Sequence, residues 1–254
     1  MQVFKDYAKY YDLLYKDKDY EKETEYINSL IKENLSDAKS ILELGSGTGK
    51  HAILLCQKEY NLVGIDFSSK MVDIAKQRLL KEELKTNIEF FVADVRKAKL
   101  NKKFDVALSL FHVVSYMLTK NDLINMFKTV YNHLNTNGLF IFDCWYGPAV
   151  LSNKPEKRVK KLENDYLKLK RFANPVHHIN DNIVDVEYNI FLQEKNSPNS
   201  FSFKEIHKMR YLFKPELKVL LELTGLKIIK SEEWLTGKSL NQNTWGACFI
   251  CKKI

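Results

Sequence analysis

The fold is decided by residues 40–49, which read Ser40-Ile41-Leu42-Glu43-Leu44-Gly45-Ser46-Gly47-Thr48-Gly49. Ile41, Leu42 and Leu44 form the short apolar run that is typical of a buried strand in a parallel sheet. The three glycines at alternate positions predict a sharp turn that a ligand can approach, because a side chain there would block both the turn and the approach. Residues 50–58 have helical composition, so we expect the turn to bring its ligand to a helix N-terminus.

The spacing of the glycines separates this turn from a dinucleotide-binding loop. Such loops carry Gly-x-Gly-x-x-Gly, in which the third glycine lets the helix pack closely against the strand. Here the pattern is Glu43-x-Gly45-x-Gly47-x-Gly49, which is one residue shorter and begins with an acid. The glycines alone are equally compatible with a phosphate-binding loop, so the function has to be inferred from the rest of the chain.

Length and composition indicate one large α/β domain with an elaboration. The chain has 254 residues, of which 45% are hydrophobic and 28% charged, and this is enough to bury a substantial core. It contains no run approaching 18 apolar residues, and residues 1–7 lack the apolar core of a signal peptide, so we expect a cytoplasmic protein without a membrane partner. The net charge of +8 suits either a nucleic acid or an acidic small molecule. Because the lysines are spread along the whole chain, we do not expect nucleic acid binding.

Four cysteines are too few and too dispersed for a disulfide framework. Cys248 and Cys251 have the spacing of a metal knuckle, but they lie in an apolar run without a second pair nearby. Free cysteine packs as a small apolar residue, so this segment is predicted to be a core strand and no metal site is expected.

After the glycine turn the chain alternates between predicted strands and helices. The predicted strands cover residues 60–66, 88–92, 104–110 and 138–144, and residues 121–134 are predicted as a helix. Asp66 ends the second strand, 17 positions after Gly49, where a carboxylate can accept hydrogen bonds from both hydroxyls of a ribose. Ligands of open α/β sheets bind beyond the carboxyl ends of the strands, so residues 111–117 are expected on the ligand side.

The N-terminal segment is rich in aromatic residues. Tyr7, Tyr11 and Tyr15 follow Phe4 at helical spacing, which predicts amphipathic helices that cover a sheet edge. The same rings could instead form a lid over a cationic ligand, because aromatic faces attract positive charge. Both interpretations stay open at this point.

Residues 151–213 break the strand and helix alternation. A basic stretch over residues 154–171 is followed by two runs of alternating polar and apolar residues, 182–191 and 202–213, which predict antiparallel strands. The predicted organisation is a helical lid (1–35), a core (36–146), a β insertion (147–213) and a C-terminal helix with two strands that complete the sheet (214–254).

This succession resembles the class I S-adenosylmethionine (SAM)-dependent methyltransferases over residues 36–144 and 214–253. The resemblance rests on the glycine motif, on Asp66, on Asp94 and on the seven-strand layout. Two N-terminal segments resemble the antibiotic-pathway amino-sugar N-methyltransferases; they are Tyr7-x-x-Tyr10-Tyr11-Asp12 and Lys18-Asp19-Tyr20. Others resemble a bacterial group associated with surface-glycan pathways: Phe111-His112-Val113-Val114-Ser115-Tyr116, Trp145-Tyr146-Gly147-Pro148, His207-x-Met209-Arg210-Tyr211 and Glu233-Trp234-Leu235-Thr236-Gly237.

The resemblance implies a doubly wound, seven-strand, Rossmann-like α/β sheet with an N-terminal helical lid and an antiparallel β insertion. It implies SAM as cofactor and S-adenosylhomocysteine as product. The methionyl part would meet Glu43, Gly45, Ser46 and Gly47. The adenosine part would meet Asp66, Phe67, Met71, Asp94, Val95 and Leu110. Tyr11 would lie over the cofactor, and Lys18 is the candidate donor to its carboxylate.

Which residues act on the acceptor side of the site depends on whether the acceptor is an amine or a hydroxyl. Holding the reactants in line can lower the activation free energy by up to ~7–11 kcal/mol. A hydroxyl acceptor also needs a general base, which accelerates the reaction by roughly 10²–10⁴. His112 is the first candidate base because it follows the fourth strand of the core and titrates near neutrality. His207 is the second, and Arg210 is a candidate clamp for a phosphate. The acceptor pocket is expected to include Tyr7, Tyr15, Tyr116, Asp143, Trp145 and Tyr146. The other histidines, His51, His133, His177 and His178, are expected to be surface or packing residues.

The sequence therefore predicts methyl transfer to an oxygen or nitrogen of a small molecule, with a nucleotide-activated sugar of surface-glycan biosynthesis as the expected acceptor. An RNA or DNA methyltransferase is one alternative, but an acid or amide followed by Pro-Pro and an aromatic residue, typical of the amino-methylating enzymes, is missing. A SAM-binding regulator without catalysis is another alternative, but the chain is rich in acceptor-side groups. A monomer and a homodimer are equally compatible with the sequence.

Overall fold

The structure is a computed structural model that describes residues 7–82, 84, 87–197 and 199–254, with side chains from residue 10 onward. The side chain of Tyr7, a predicted acceptor residue, therefore lies outside the described part. In chain order the elements are α1 (Tyr7–Leu14), α2 (Tyr20–Asn34), β1 (Ser40–Leu44), α3 (Lys50–Gln57), β2 (Asn61–Asp66), α4 (Ser69–Leu79), β3 (Ile88–Val92), β4 (Phe104–Ser109), the 3-10 helix η1 (Val113–Tyr116), α5 (Lys120–His133), β5 (Leu134–Trp145), α6 (Gly147–Ser152), β6 (Arg158–Glu163), β7 (Leu167–His178), the 3-10 helix η2 (Ile179–Asp181), β8 (Ile183–Glu194), β9 (Ser200–Arg210), α7 (Lys214–Glu222), β10 (Leu226–Glu233) and β11 (Gly246–Lys253).

The strands form two sheets. Seven of them pair in the order β10-β11-β5-β4-β1-β2-β3, in which β11 runs antiparallel to both of its neighbours and the other pairs are parallel. The other four pair in chain order as a separate antiparallel sheet, β6-β7-β8-β9. This arrangement confirms the predicted doubly wound core with an antiparallel β insertion. The predicted segment boundaries fall between elements.

Strand β1 lies inside the core sheet, and both of its faces are covered. Leu42 and Leu44 pack on the side of α5 and α7, whereas Ile41 packs on the side of α2, α3 and α4. Burial on both faces explains why the strand sequence is continuously apolar instead of alternating. Cys248 and Cys251 are buried free thiols on opposite faces of β11, as expected for core-strand residues.

Helix α1 connects the two sheets. Its Leu14 is fully buried against Leu169, Ile190 and Leu192 of the inserted sheet. Its Asp12 accepts a hydrogen bond from Thr48 Oγ1 at 3.1 Å in the core and is also paired with Lys50 and Arg78. The predicted lid is therefore a helix that packs on the insertion and is anchored by charge to the core.

The glycine turn has the predicted backbone strain. Gly45 and Gly47 have φ of +79° and +55°, a region that residues with a side chain rarely adopt. A Cβ on Gly45 would lie 2.5 Å from a methyl carbon of Val113, whereas a Cβ on Gly47 would meet no atom within 4 Å. A side chain at position 45 would clash with Val113, so packing requires glycine there. At position 47 the positive φ favours glycine, and the absence of a side chain leaves the space in front of the turn open.

Within the described residues, no helix has both the length and the apolar character needed to span a membrane. The same residues contain no group of three or more metal-ligating side chains that could hold an ion.

Candidate active site

A cavity of about 520 Å³ lies beyond the carboxyl ends of β1, β2 and β4, between the core and the inserted sheet. Its cofactor end is lined by Gly45, Gly47, Asp66, Phe67, Met71, Asp94, Val95, Arg96 and Leu110. Its other end is lined by Tyr11, Tyr15, Phe111, His112, Val113, Tyr116, Met117, Trp145, Tyr188, His207 and Met209. Most of the predicted site residues therefore come together around one cavity. Of the predicted residues whose side chains are described, six do not line it; they are Lys18, Glu43, Ser46, Asp143, Tyr146 and Arg210.

Asp66 fixes the glycine turn from the end of β2. Its Oδ2 accepts a hydrogen bond from the Gly47 amide at 2.9 Å, and its Oδ1 accepts one from the Ser68 amide at 2.8 Å. Burial raises the pKa of the carboxyl, and these two amides partly oppose the rise. The carboxylate is thus held at the cavity wall, in a position where it can accept from ligand hydroxyls.

Glu43 and Ser46 lie behind the turn. Glu43 is 1% exposed, and burial, followed by the charge of Asp66, raises its pKa to about 8. Glu43 Oε2 and Ser46 Oγ are buried without a hydrogen-bond partner among the described residues. Such atoms are costly unless a polar group satisfies them, so their position next to the turn suits the polar amino-acid end of a cofactor.

Lys18 does not line the cavity, although it lies against a ring that does. Its ammonium pairs with Glu23 and lies 4.2 Å from the ring centroid of Phe111, and burial lowers its pKa. These contacts do not support its predicted role as donor to the cofactor carboxylate. Glu23 also accepts from His51, whose Nε2 is 2.8 Å away, so His51 belongs to a buried ionic cluster.

Asp94 is held at the adenosine end by a residue that the sequence did not single out. Arg96 donates to Asp94 through Nε, 3.0 Å from Oδ1, and through Nη2, 2.7 Å from Oδ2. Its Nη1 donates to Asp122 at 2.7 Å. These hydrogen bonds lower the pKa of Asp94, so its carboxylate stays ionised and oriented. An arginine two positions after the acid was the signal available in the sequence.

His112 is oriented by Asp143. The His112 backbone amide donates to both Asp143 oxygens, at 3.0 and 3.2 Å, and the His112 Nδ1 atom lies 2.6 Å from Asp143 Oδ2. Asp143 is only 1% exposed, so it lies behind the histidine and does not contact the cavity itself. A buried carboxylate in this position holds the orientation of the His112 ring at the cavity wall.

The opposite wall is built by the insertion. Tyr116 Oη is 2.7 Å from His207 Nδ1, and His207 Nε2 is 3.3 Å from Glu205 Oε2. The ring of Tyr188 packs against His207, with centroids 5.0 Å apart. Glu205 and Tyr188 were missed from sequence, because the face that a strand residue occupies depends on strand register.

Arg210 and Tyr146 lie outside this wall. Arg210 donates to the Leu118 carbonyl at 2.9 Å and pairs with Glu216 of α7, and it does not line the cavity. Its role as a phosphate clamp stays a prediction. Tyr146 joins the core to the insertion through a backbone bridge with Leu212.

Residues 41–138 match the family model of the methyltransferase domain. The fold and this match support a class I SAM-dependent methyltransferase, with SAM as its cofactor. This is the class that the sequence resembles over residues 36–144 and 214–253.

Within that class the chain resembles sugar methyltransferases. It is 24% identical over 237 residues to dTDP-3-amino-3,4,6-trideoxy-alpha-D-glucopyranose N,N-dimethyltransferase of Streptomyces venezuelae, covering 92% of this chain and 96% of the relative. A putative methyltransferase of Bacillus subtilis is 30% identical over 142 residues, which are 56% of this chain and 55% of that one. In fold, the chain is similar to the crystal structure of a SAM-dependent methyltransferase from Clostridium acetobutylicum, with a TM-score of 0.80, 24% identity and coverage of 96% and 95%.

Proposed function

We propose that this protein transfers a methyl group to an amino or hydroxyl group of a nucleotide-activated sugar. The observation that carries the proposal is the composition of the cavity, which has a cofactor end on the core and a wall of aromatic and titratable residues on the insertion. The relative from Streptomyces venezuelae is named for dimethylation of a dTDP-linked amino sugar, and its similarity spans nearly the whole chain. Both features support a small-molecule acceptor of this class.

The cofactor end fits SAM. Gly47 leaves open space that a side chain would fill, and Phe67 is 63% exposed at the cavity, where an adenine ring would cover it. Asp66 and Asp94 offer carboxylates to the ribose and the adenine edge. Bound SAM supplies a methyl group on a positively charged sulfur; the chain binds and orients the reactants and excludes water.

A diphosphate needs cations, and Arg210 is paired with Glu216 and does not line the cavity. Lys160 and Arg171 are cross-strand partners on the face of the insertion that meets α1. The Arg171 guanidinium lies 4.6 Å from the ring centroid of Tyr188, and Lys160 donates to the Leu14 carbonyl at 2.8 Å. We therefore assign the diphosphate contact to Arg171, because the Tyr188 ring on which it packs lines the cavity. Lys161, Lys168 and Lys170 alternate onto the opposite face.

His112 is the proposed base for a hydroxyl acceptor. It lines the cavity, and the buried Asp143 behind it can balance the charge that it gains with the proton. An amine acceptor loses its proton more readily, and His112 then serves to position the nitrogen.

Incubation of the protein with SAM and a set of amino and hydroxyl sugar nucleotides tests the proposal, with product masses as the readout. We expect a mass increase of one or two methyl groups on at least one acceptor. Arg171→Ala should raise the acceptor KM without changing SAM affinity. Added salt should raise the acceptor KM of the wild type in the same way, because it screens the charges. Lys170→Ala is the matched control, because its side chain lies on the opposite face of the same strand.

The alternatives give different results in the same experiment. Methylation of RNA or DNA with no sugar nucleotide product would establish a nucleic acid methyltransferase. SAM binding by calorimetry with no turnover on any acceptor would establish a regulator. A KM that neither salt nor Arg171→Ala changes would indicate an uncharged acceptor.

A further inference from the structure

The cavity contains two histidine–carboxylate pairs, one on each wall. The pair His112 and Asp143 belongs to the core sheet, and the pair His207 and Glu205 belongs to the insertion. His207 and Glu205 are 3% and 8% exposed, so this second pair is buried almost as deeply as a core residue. A burial of this kind is costly for a carboxylate unless a partner compensates its charge.

Strand geometry places the second pair at the cavity. Glu205 and His207 are two positions apart on β9, so their side chains share the face that is directed at the cavity. Tyr116 reaches the same point from η1 of the core, with its Oη 2.7 Å from His207 Nδ1. Tyr116 and His207 both line the cavity and Glu205 lies behind them, and the three groups meet only where the core and the insertion pack together.

We propose that Tyr116, His207 and Glu205 form a proton relay that holds an amine acceptor and takes up the proton that the amine releases on methyl transfer. The proposal rests on the proposed function, since a relay of this kind requires an acceptor that loses a proton. Tyr116 is the member that touches the acceptor. His207 and Glu205 are positioning residues that act through it.

The step balances as follows for an amine acceptor. The nitrogen lone pair forms the new N–C bond while the C–S bond breaks and its electron pair goes to sulfur. The nitrogen, now positively charged, gives one N–H proton to Tyr116 Oη, and the original Tyr116 proton moves to His207 Nδ1. The resulting imidazolium is balanced by Glu205 and returns its proton to solvent after product release.

The surroundings agree with this direction of transfer. Burial raises the pKa of Tyr116 well above its ordinary value, so the tyrosine passes a proton on and does not store the negative charge. The titratable and charged groups that face the relay come from several segments; they are Tyr15 directly after α1, Asp66 of β2, Arg171 of β7 and Tyr188 of β8.

A third histidine–carboxylate pair offers a control on the same sheet. His178 Nε2 lies 3.4 Å from Asp185 Oδ2, but the histidine is 41% exposed and neither residue lines the cavity. This pair shares the chemistry and the strand setting of the proposed relay without its access to the acceptor.

The test compares Tyr116→Phe, Glu205→Gln and His178→Asn with wild type on one methylated acceptor, measuring kcat against pH. Tyr116→Phe should lower kcat by roughly 10²–10⁴, because the ring remains but the proton-transferring oxygen is gone. Glu205→Gln should lower kcat and move the acidic limb of the profile to lower pH, because the imidazolium loses its counter-charge. His178→Asn should leave both kcat and its pH profile unchanged.

SAM affinity, measured by calorimetry on each variant, separates a relay effect from misfolding. The proposal is overturned if Tyr116→Phe and Glu205→Gln bind SAM normally and keep the wild-type kcat and pH profile. It is also overturned if Glu205→Gln lowers kcat without moving the acidic limb, which would indicate a packing role. Failure of the proposed function looks different, since wild type itself would then give no methylated sugar nucleotide.

Discussion

Gly47→Ala is the sharpest test of the cofactor site, because the structure separates its effect on folding from its effect on binding. Gly47 has φ of +55°, and its added Cβ would meet no protein atom within 4 Å. The substitution therefore costs the protein only backbone strain. The new methyl group projects into space that we assign to SAM.

The two costs can be estimated separately. A side chain in the left-handed region costs about 1–2 kcal/mol, which lowers Tm by roughly 2–4 °C per kcal/mol in a chain of this size. Crowding a packed site by one methyl group costs about 1–3 kcal/mol, which corresponds to a rise in Kd of about 5- to 150-fold.

Gly237→Ala is the matched control. Gly237 has φ of +68°, and a Cβ there would approach only the Glu232 carboxylate oxygens, at 3.9 Å, outside the cavity lining. Thermal unfolding should show a similar fall in Tm for both variants, whereas calorimetry should show weaker SAM binding for Gly47→Ala alone. Normal SAM affinity in a folded Gly47→Ala variant would refute the placement of the cofactor at this turn.

Three further substitutions test the remaining assignments. Asp66→Asn removes the charged acceptor of the ribose hydroxyls and should raise the Kd for SAM by about 10- to 150-fold, and calorimetry showing an unchanged Kd would remove Asp66 from the site. His112→Ala should lower kcat by roughly 10²–10⁴ for a hydroxyl acceptor but far less for an amine, and a methyl ether product formed at unchanged kcat would exclude His112 as the base. Burial raises the pKa of Glu43 to about 8, above its value in the unfolded chain, so its contribution to stability is complete below the unfolded pKa and is lost as the pH rises toward 8. Glu43→Gln cannot ionise, so the Tm of this variant should rise relative to that of wild type between pH 5 and pH 8. Parallel Tm curves would contradict the raised pKa of Glu43.

The cofactor half of the site could be predicted because its signals are local. Apolar runs, the glycine turn and the acid at the end of β2 depend on a few neighbouring residues, and the βαβ topology then determines where they meet. Gly45, Gly47 and Asp66 accordingly line one cavity, as their positions in the sequence indicated.

The acceptor half depends on packing between distant segments. The alternating pattern of β9 predicted a strand, but it could not show which face meets the cavity or that Tyr116 would lie against His207. The pairing of charges was also missed, although the partners are near in sequence. Glu216 follows Arg210 by six positions and Glu23 follows Lys18 by five. Each glutamate pairs with a basic residue that the sequence suggested as a ligand contact.

Helix α1 has a consequence for the order of events in turnover. Its Leu14 is part of the insertion's apolar core, and its Asp12 is bound to the core domain beside the glycine turn. Exchange of spent cofactor for fresh SAM therefore requires a movement that also loosens the wall against which the acceptor lies. We expect an ordered kinetic mechanism in which SAM binds first and S-adenosylhomocysteine leaves last. An acceptor that receives two methyl groups should dissociate between them, so that the singly methylated product accumulates early in a time course.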